Sequence, residues 1–74
     1  MEFGRLEWER VIDIGCGTGE VAAGIAKHGA EHVLGVDYAT TAIEIANQKH
    51  YDVKILSFRR VHWTNLLQIM REMW

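Results

Sequence analysis

The stretch Val11-Ile12-Asp13-Ile14-Gly15-Cys16-Gly17-Thr18-Gly19-Glu20 decides how this chain folds. Val11, Ile12 and Ile14 make an apolar, β-branched run broken only by Asp13, the pattern of a strand covered on both faces. Gly15, Gly17 and Gly19 follow at alternate positions, and Glu20 opens a helical pattern. A second apolar run over 33–36 ends in Asp37. Strand, glycine loop, helix and a second strand tipped with an acid form a layout that cradles an adenosine-bearing ligand. Glycine lets backbone approach a ligand closely. A helix N-terminus offers N–H groups, and the acid accepts from both ribose hydroxyls.

The spacing narrows the choice. A dinucleotide fingerprint runs G-x-G-x-x-G/A, with an acid about 20 residues on. Gly15 and Gly17 fit its first two places, but the third falls on Glu20. The loop is instead D-x-G-x-G-x-G, from Asp13, Gly15, Gly17 and Gly19. An NAD(P)-binding module of an oxidoreductase stays as an alternative that Glu20 disfavours.

The first helix is expected over 20–28, with Val21, Ala22, Ile25 and Ala26 on its apolar face. Lys27 and His28 suit the negative end of its dipole, and Gly29 suits a left-handed cap. A second strand is expected over 33–36 and a turn over 38–40. A second helix then runs to Lys49, capped at Thr40 or Thr41, where Thr41 and Glu44 can form a capping box. Ala42, Ile43, Ile45 and Ala46 carry that helix. The run 53–58 (VKILSF) reads as a third strand. Two strand–helix–strand units in series imply a parallel sheet with right-handed crossovers. The fold class is therefore α/β: a Rossmann-like three-layer arrangement with a partial parallel sheet in the order 3-2-1. Over 60–74, Trp63, Leu66, Leu67, Met70, Met73 and Trp74 fall on one stripe of an amphipathic helix, a packing or partner surface. Phe3, Leu6 and Trp8 are anchor candidates in a polar lead-in.

The chain has 74 residues, which is one domain at most and leaves little stability to spare. A net charge of −2 gives no electrostatic case for nucleic acid or an anionic membrane. Arg59, Arg60 and His62 read as a solvated basic patch. One cysteine, Cys16, excludes an intrachain disulfide and suits a reducing compartment. No run resembles a signal peptide, and none approaches the ~20 apolar residues of a membrane span, so a cytoplasmic location is expected. His28, His32, His50 and His62 lack metal-ligand spacing.

With the glycine loop and Gly35-Val36-Asp37-Tyr38 in hand, the chain resembles the class I S-adenosylmethionine-dependent methyltransferases over residues 8–50. The resemblance implies S-adenosylmethionine as cofactor and assigns roles position by position. Asp13 and the backbone of Gly15, Cys16, Gly17, Thr18 and Gly19 would face the methionine part. Asp37 would bind the ribose diol, and Tyr38 would lie against the adenine. The residues themselves leave Asp13 either a loop organiser fed by loop N–H groups or a ligand contact. Cys16 reads as a small filler in the loop.

The resemblance has limits. The family places an acid after strand three, and no Asp or Glu lies here between Asp52 and Glu72. A fourth strand, whose loop lines the family's substrate pocket, is not found. The first strand is then expected to be a sheet edge, open to pairing with the tail helix, the lead-in or another chain. These features set a cofactor-binding half of a methyltransferase beside a non-catalytic fragment or interaction module. No residue is identified as a general base, and the methyl acceptor is not specified.

Overall fold

A computed structural model describes residues 10–73. The expected anchors Phe3, Leu6 and Trp8, and the tail residue Trp74, lie outside the described residues. In chain order the elements are β1 (Arg10–Ile14), α1 (Glu20–Lys27), β2 (His32–Asp37), α2 (Thr40–Lys49), β3 (Leu56–Arg60), a 3-10 turn (Trp63–Asn65) and α3 (Leu66–Met73).

The three strands form one parallel sheet with β2 in the centre, the expected order. In β1 and β2, Val11 pairs with Val33 and Asp13 with Gly35. In β2 and β3, Val33 pairs with Leu56 and Gly35 with Phe58. Side chains alternate across a sheet, so two packing layers follow from this register. On one face Val33 and Leu56 bury against Ala22, Ala23 and Ala30, with Val11 and Phe58 beside them. On the other face Val36 buries with Val61 and Ile69, flanked by Ile12, Leu34 and Leu66. Helix α1 thus covers one face and α3 the other. Val33 and Val36 are fully buried, each worth about 1.5–3 kcal/mol of burial. Small alanines on α1 let helix and sheet approach closely.

Several local expectations are corrected. Val21 points to solvent, 65% exposed, and Ala23 takes the core position instead. Helix α2 buries Ile43 and Ala46, while Ile45 faces outward. Its N-cap is Ala39, with no side-chain cap bond from Thr40 or Thr41. The Ala39 N–H instead donates to Asp37 Oδ1 at 3.0 Å, so the strand-tip acid caps the next helix. The third strand starts at Leu56 rather than Val53, because Val53 and Ile55 pack on the core from the preceding turn. In the tail, His62 Nδ1 accepts the Thr64 N–H at 3.3 Å and opens a 3-10 turn before α3. Ile69, absent from the expected stripe, is buried in α3, whereas Leu67 is 58% exposed.

Candidate functional site

The carboxyl ends of β1 and β2 carry the glycine loop and Asp37 side by side. Gly15, Gly17 and Gly19 have φ of 73°, 57° and 93°, a left-handed region that L-residues with side chains disfavour. A Cβ at Gly15 or Gly17 would meet nothing within 4 Å. Those two glycines therefore serve backbone conformation and leave open space above the loop, where a ligand can lie.

The loop's N–H groups are largely spent inside the protein. Gly15 and Cys16 both donate to the Val36 carbonyl, at 2.8 and 3.0 Å. Gly19 donates to the Cys16 carbonyl at 3.0 Å. Gly17 donates to Asp37 Oδ2 at 2.9 Å, across twenty positions of sequence. Glu20 sits in the first turn of α1, where it places negative charge at the helix start. Its carboxylate accepts from Thr18 Oγ1 at 2.5 Å and pairs with Lys49 at 3.4 Å, with the buried His50 Nε2 3.7 Å away and without a hydrogen bond. A phosphate cradle needs the reverse, free donors and no fixed anion.

Asp37 is the hub. The Ala39 and Gly17 N–H groups hold its carboxyl below the usual carboxylate range. Two hydrogen bonds leave lone pairs on both oxygens for further donors.

Asp13 corrects an expectation. No loop N–H reaches its Oδ2, which is buried without a hydrogen-bond partner, and burial raises its pKa. The organising carboxylate of the loop is Asp37. Cys16 is pushed up to about 11 by burial and by the negative charges of Asp13 and Asp37, so its sulfur is a thiol at neutral pH. That fits the filler role.

Sequence reasoning missed the floor of the loop. A Cβ on Gly19 would fall 2.5 Å from Phe58 Cζ and 3.0 Å from His50 Cδ2. A Cβ on Gly35 would fall 2.7 Å from Phe58 Cδ1 and 3.0 Å from Cys16 Sγ. One ring from β3 thus lies against glycines of the loop and of β2. The His50 ring packs 5.9 Å from Phe58. The parity of Phe58 with Leu56 is visible in the sequence; its depth under the loop depends on the register with β2.

Beside the loop, on the α3 face, lies a small pocket of about 70 Å³. Ile14, Val36, Val61 and Leu66 give it apolar walls, and Gly15 and Asp37 form part of its lining. Tyr38 and Trp63 also line it, with ring centroids 6.4 Å apart and planes tilted by 33°. Trp63, expected on the tail stripe, is a wall of this pocket instead. The described residues hold no group of three or more His, Cys, Asp or Glu arranged to bind a metal.

Against known proteins, residues 11–73 match the family model for a methyltransferase domain. The chain belongs to the class I S-adenosylmethionine-dependent methyltransferases. It is 36% identical over 60 residues to a ubiquinone biosynthesis O-methyltransferase of Alkalilimnicola ehrlichii, covering 80% of this chain and 24% of that protein. It is 41% identical over 63 residues to a ribosomal protein L11 methyltransferase of Thermotoga petrophila, covering 82% and 22%. The S-adenosylmethionine dependent methyltransferase of Mesorhizobium loti superposes with a TM-score of 0.71 at 27% identity, covering 81% and 27%. Phosphoethanolamine N-methyltransferase 1 of Haemonchus contortus, in complex with phosphoethanolamine and S-adenosylhomocysteine, gives 0.72 at 25% identity, covering 81% and 13%. The chain therefore spans about a quarter or less of the length of these relatives.

The family's cofactor is S-adenosylmethionine, as the sequence reading expects. Nothing in these similarities favours an NAD(P)-binding oxidoreductase. Among the described residues, no helix of this methyltransferase-family chain is long and apolar enough to cross a membrane.

Proposed function

We propose that this chain binds S-adenosylmethionine at the glycine loop, as the cofactor-binding part of a methyltransferase. The observation that carries the reading is the electrostatic character of the loop. Its N–H groups at Gly15, Cys16, Gly17 and Gly19 are already donated, while Asp13, Asp37 and Glu20 supply negative charge nearby. Such a site suits a ligand bearing an ammonium and a sulfonium, and repels a pyrophosphate.

The roles follow from chemistry. Asp37 keeps free lone pairs for the ribose hydroxyls. Asp13, whose Oδ2 is buried without a hydrogen-bond partner, is assigned to the cationic methionine part, whose ammonium would offset that burial. Gly15 and Gly17 keep the space above the loop clear, with Cys16 and Thr18 as the residues between and after them. Gly19 lets the chain turn over the Phe58 ring into α1. Tyr38 borders the adenine. The cofactor, when bound, supplies a methyl group activated by positive sulfur. The protein's part is to bind and orient it. No described residue is placed as a general base, and the Cys16 thiol, with its pKa near 11, is unsuited to that role. A reducing, cytoplasmic setting suits that free thiol. Among the described residues β1 pairs with β2 on one side, and an open outer side would suit pairing with a second copy of the chain.

Calorimetric titration of the chain with S-adenosylmethionine, S-adenosylhomocysteine and NAD tests the reading. The two sulfur ligands bind and NAD binds more weakly than either. Tighter binding of NAD overturns it.

A further inference from the structure

The turn from the glycine loop into α1 stands on two rings. Phe58 of β3 and His50, the C-cap of α2, both lie where a Cβ on Gly19 would fall. The rings pack with centroids 5.9 Å apart and planes tilted by 37°. Backbone bonds fix His50 as well: its N–H donates to the Ala46 carbonyl and its carbonyl accepts the Val53 N–H, each at 3.1 Å. For this packing an apolar side chain would serve. The histidine adds a polar atom, Nε2, which is buried and receives a hydrogen bond from no described residue. Burying such an atom unpaired costs free energy that an apolar ring avoids.

Glu20 Oε2 lies 3.7 Å from that nitrogen, about half an ångström beyond N–H···O range. Glu20 is the first residue of α1. Its other oxygen accepts from Thr18 in the loop and pairs with Lys49, the last residue of α2. The loop and the C-terminal end of α2 therefore meet at one carboxylate, while Asp37 ties the loop to the other end of α2.

Resting on the cofactor assignment above, we propose that His50 is a positioning residue for the cofactor loop: with ligand on the loop, its Nε2–H donates to Glu20 and fixes the first turn of α1. The movement is small. It satisfies the buried nitrogen and leaves Oε1 to Thr18 and Lys49. His50 touches no ligand in this scheme and acts through Glu20 and Thr18.

The test titrates the full chain and its variants calorimetrically with S-adenosylhomocysteine. His50→Phe keeps a ring under Gly19 and removes the donor. It weakens binding by about tenfold. Urea unfolding finds it no less stable than the parent, since an unpaired polar atom has left the interior. His50→Leu, a second apolar variant, loses affinity alike. His50→Gln carries a side-chain N–H donor of similar reach and recovers affinity to within about threefold of the parent. In a Glu20→Ala background His50→Phe has little further effect. In the bound chain the His50 Nε2 resonance is that of a protonated nitrogen. Parent affinity in His50→Phe, or weaker binding by His50→Gln than by His50→Phe, overturns the proposal and leaves the cofactor reading intact. An undiminished loss in the Glu20→Ala background, or an unprotonated Nε2 in the bound chain, overturns it as well. So does failure of both apolar variants to fold, because Nε2 then serves the fold rather than the loop. Absence of binding by the parent removes the cofactor reading and this proposal together.

Discussion

The Asp37 carboxylate accepts the Gly17 N–H at 2.9 Å and the Ala39 N–H at 3.0 Å, so one side chain ties the glycine loop to the start of α2. On the proposed reading this acid also faces the ligand, which couples loop order to binding. Asp37→Ala therefore lowers affinity for S-adenosylhomocysteine by about tenfold or more, the cost of a lost charge-assisted hydrogen bond. Asp52→Ala, at an exposed position beyond α2, leaves it unchanged. Calorimetric titration of both variants checks this, and equal losses would remove Asp37 from the site.

Asp37 and Asp13 carry opposite signs in the pH dependence of stability. Hydrogen bonds lower the Asp37 pKa in the folded state, so its contribution is present above the unfolded value of 3.8 and lost as pH falls through the folded one. Burial raises the Asp13 pKa, so ionising it weakens the fold as pH rises above 3.8. Asp37→Asn is less stable than the parent at pH 7, by about 0.5–1 kcal/mol, and the deficit shrinks in acid. Asp13→Asn is more stable at pH 7, by about 1 kcal/mol, and the gain vanishes below pH 4. Urea unfolding at a series of pH values measures both, and like signs for the two variants would contradict the geometry.

Two glycines test the floor of the loop. Gly24 lies in α1 with open space where a Cβ would stand, so Gly24→Ala stabilises the chain by about 0.5–1 kcal/mol through helix propensity. Gly35 lies in β2 with Phe58 and Cys16 at 2.7 and 3.0 Å from that position, so Gly35→Ala destabilises it by about 1–3 kcal/mol. Thermal unfolding reads both signs. Phe58→Leu in the Gly35→Ala background recovers part of the loss, since the ring is what the new methyl strikes.

The central part of this architecture is legible in the sequence because local and global preferences agree there. Asp13, Gly15, Gly17, Gly19 and Asp37 are spaced as the strand–loop–helix–strand unit requires, and the structure brings the loop and Asp37 together. Apolar periodicity alone misplaces residues whose neighbours come from far along the chain. Val53 and Ile55 look like strand but pack from a turn, while β3 runs on through the exposed Arg59 and Arg60, which pair with Val36 and Asp37 of β2. Ile69 and Leu67, two positions apart, face opposite sides of α3, and the position of Val36 and Val61 decides which is buried. Which N–H groups remain for a ligand is likewise a matter of register: the Val36 carbonyl takes two loop donors because Ile14, the last residue of β1, pairs with Val36.

Cofactor binding at the glycine loop is tested most directly by following backbone amide and tryptophan indole resonances during titration with S-adenosylhomocysteine. The expected shifts are concentrated at 13–19, at Asp37 and Tyr38, and at the Trp63 indole, with the Gly17 N–H remaining hydrogen-bonded throughout. Saturable shifts that leave 13–19 and Asp37 untouched would contradict it.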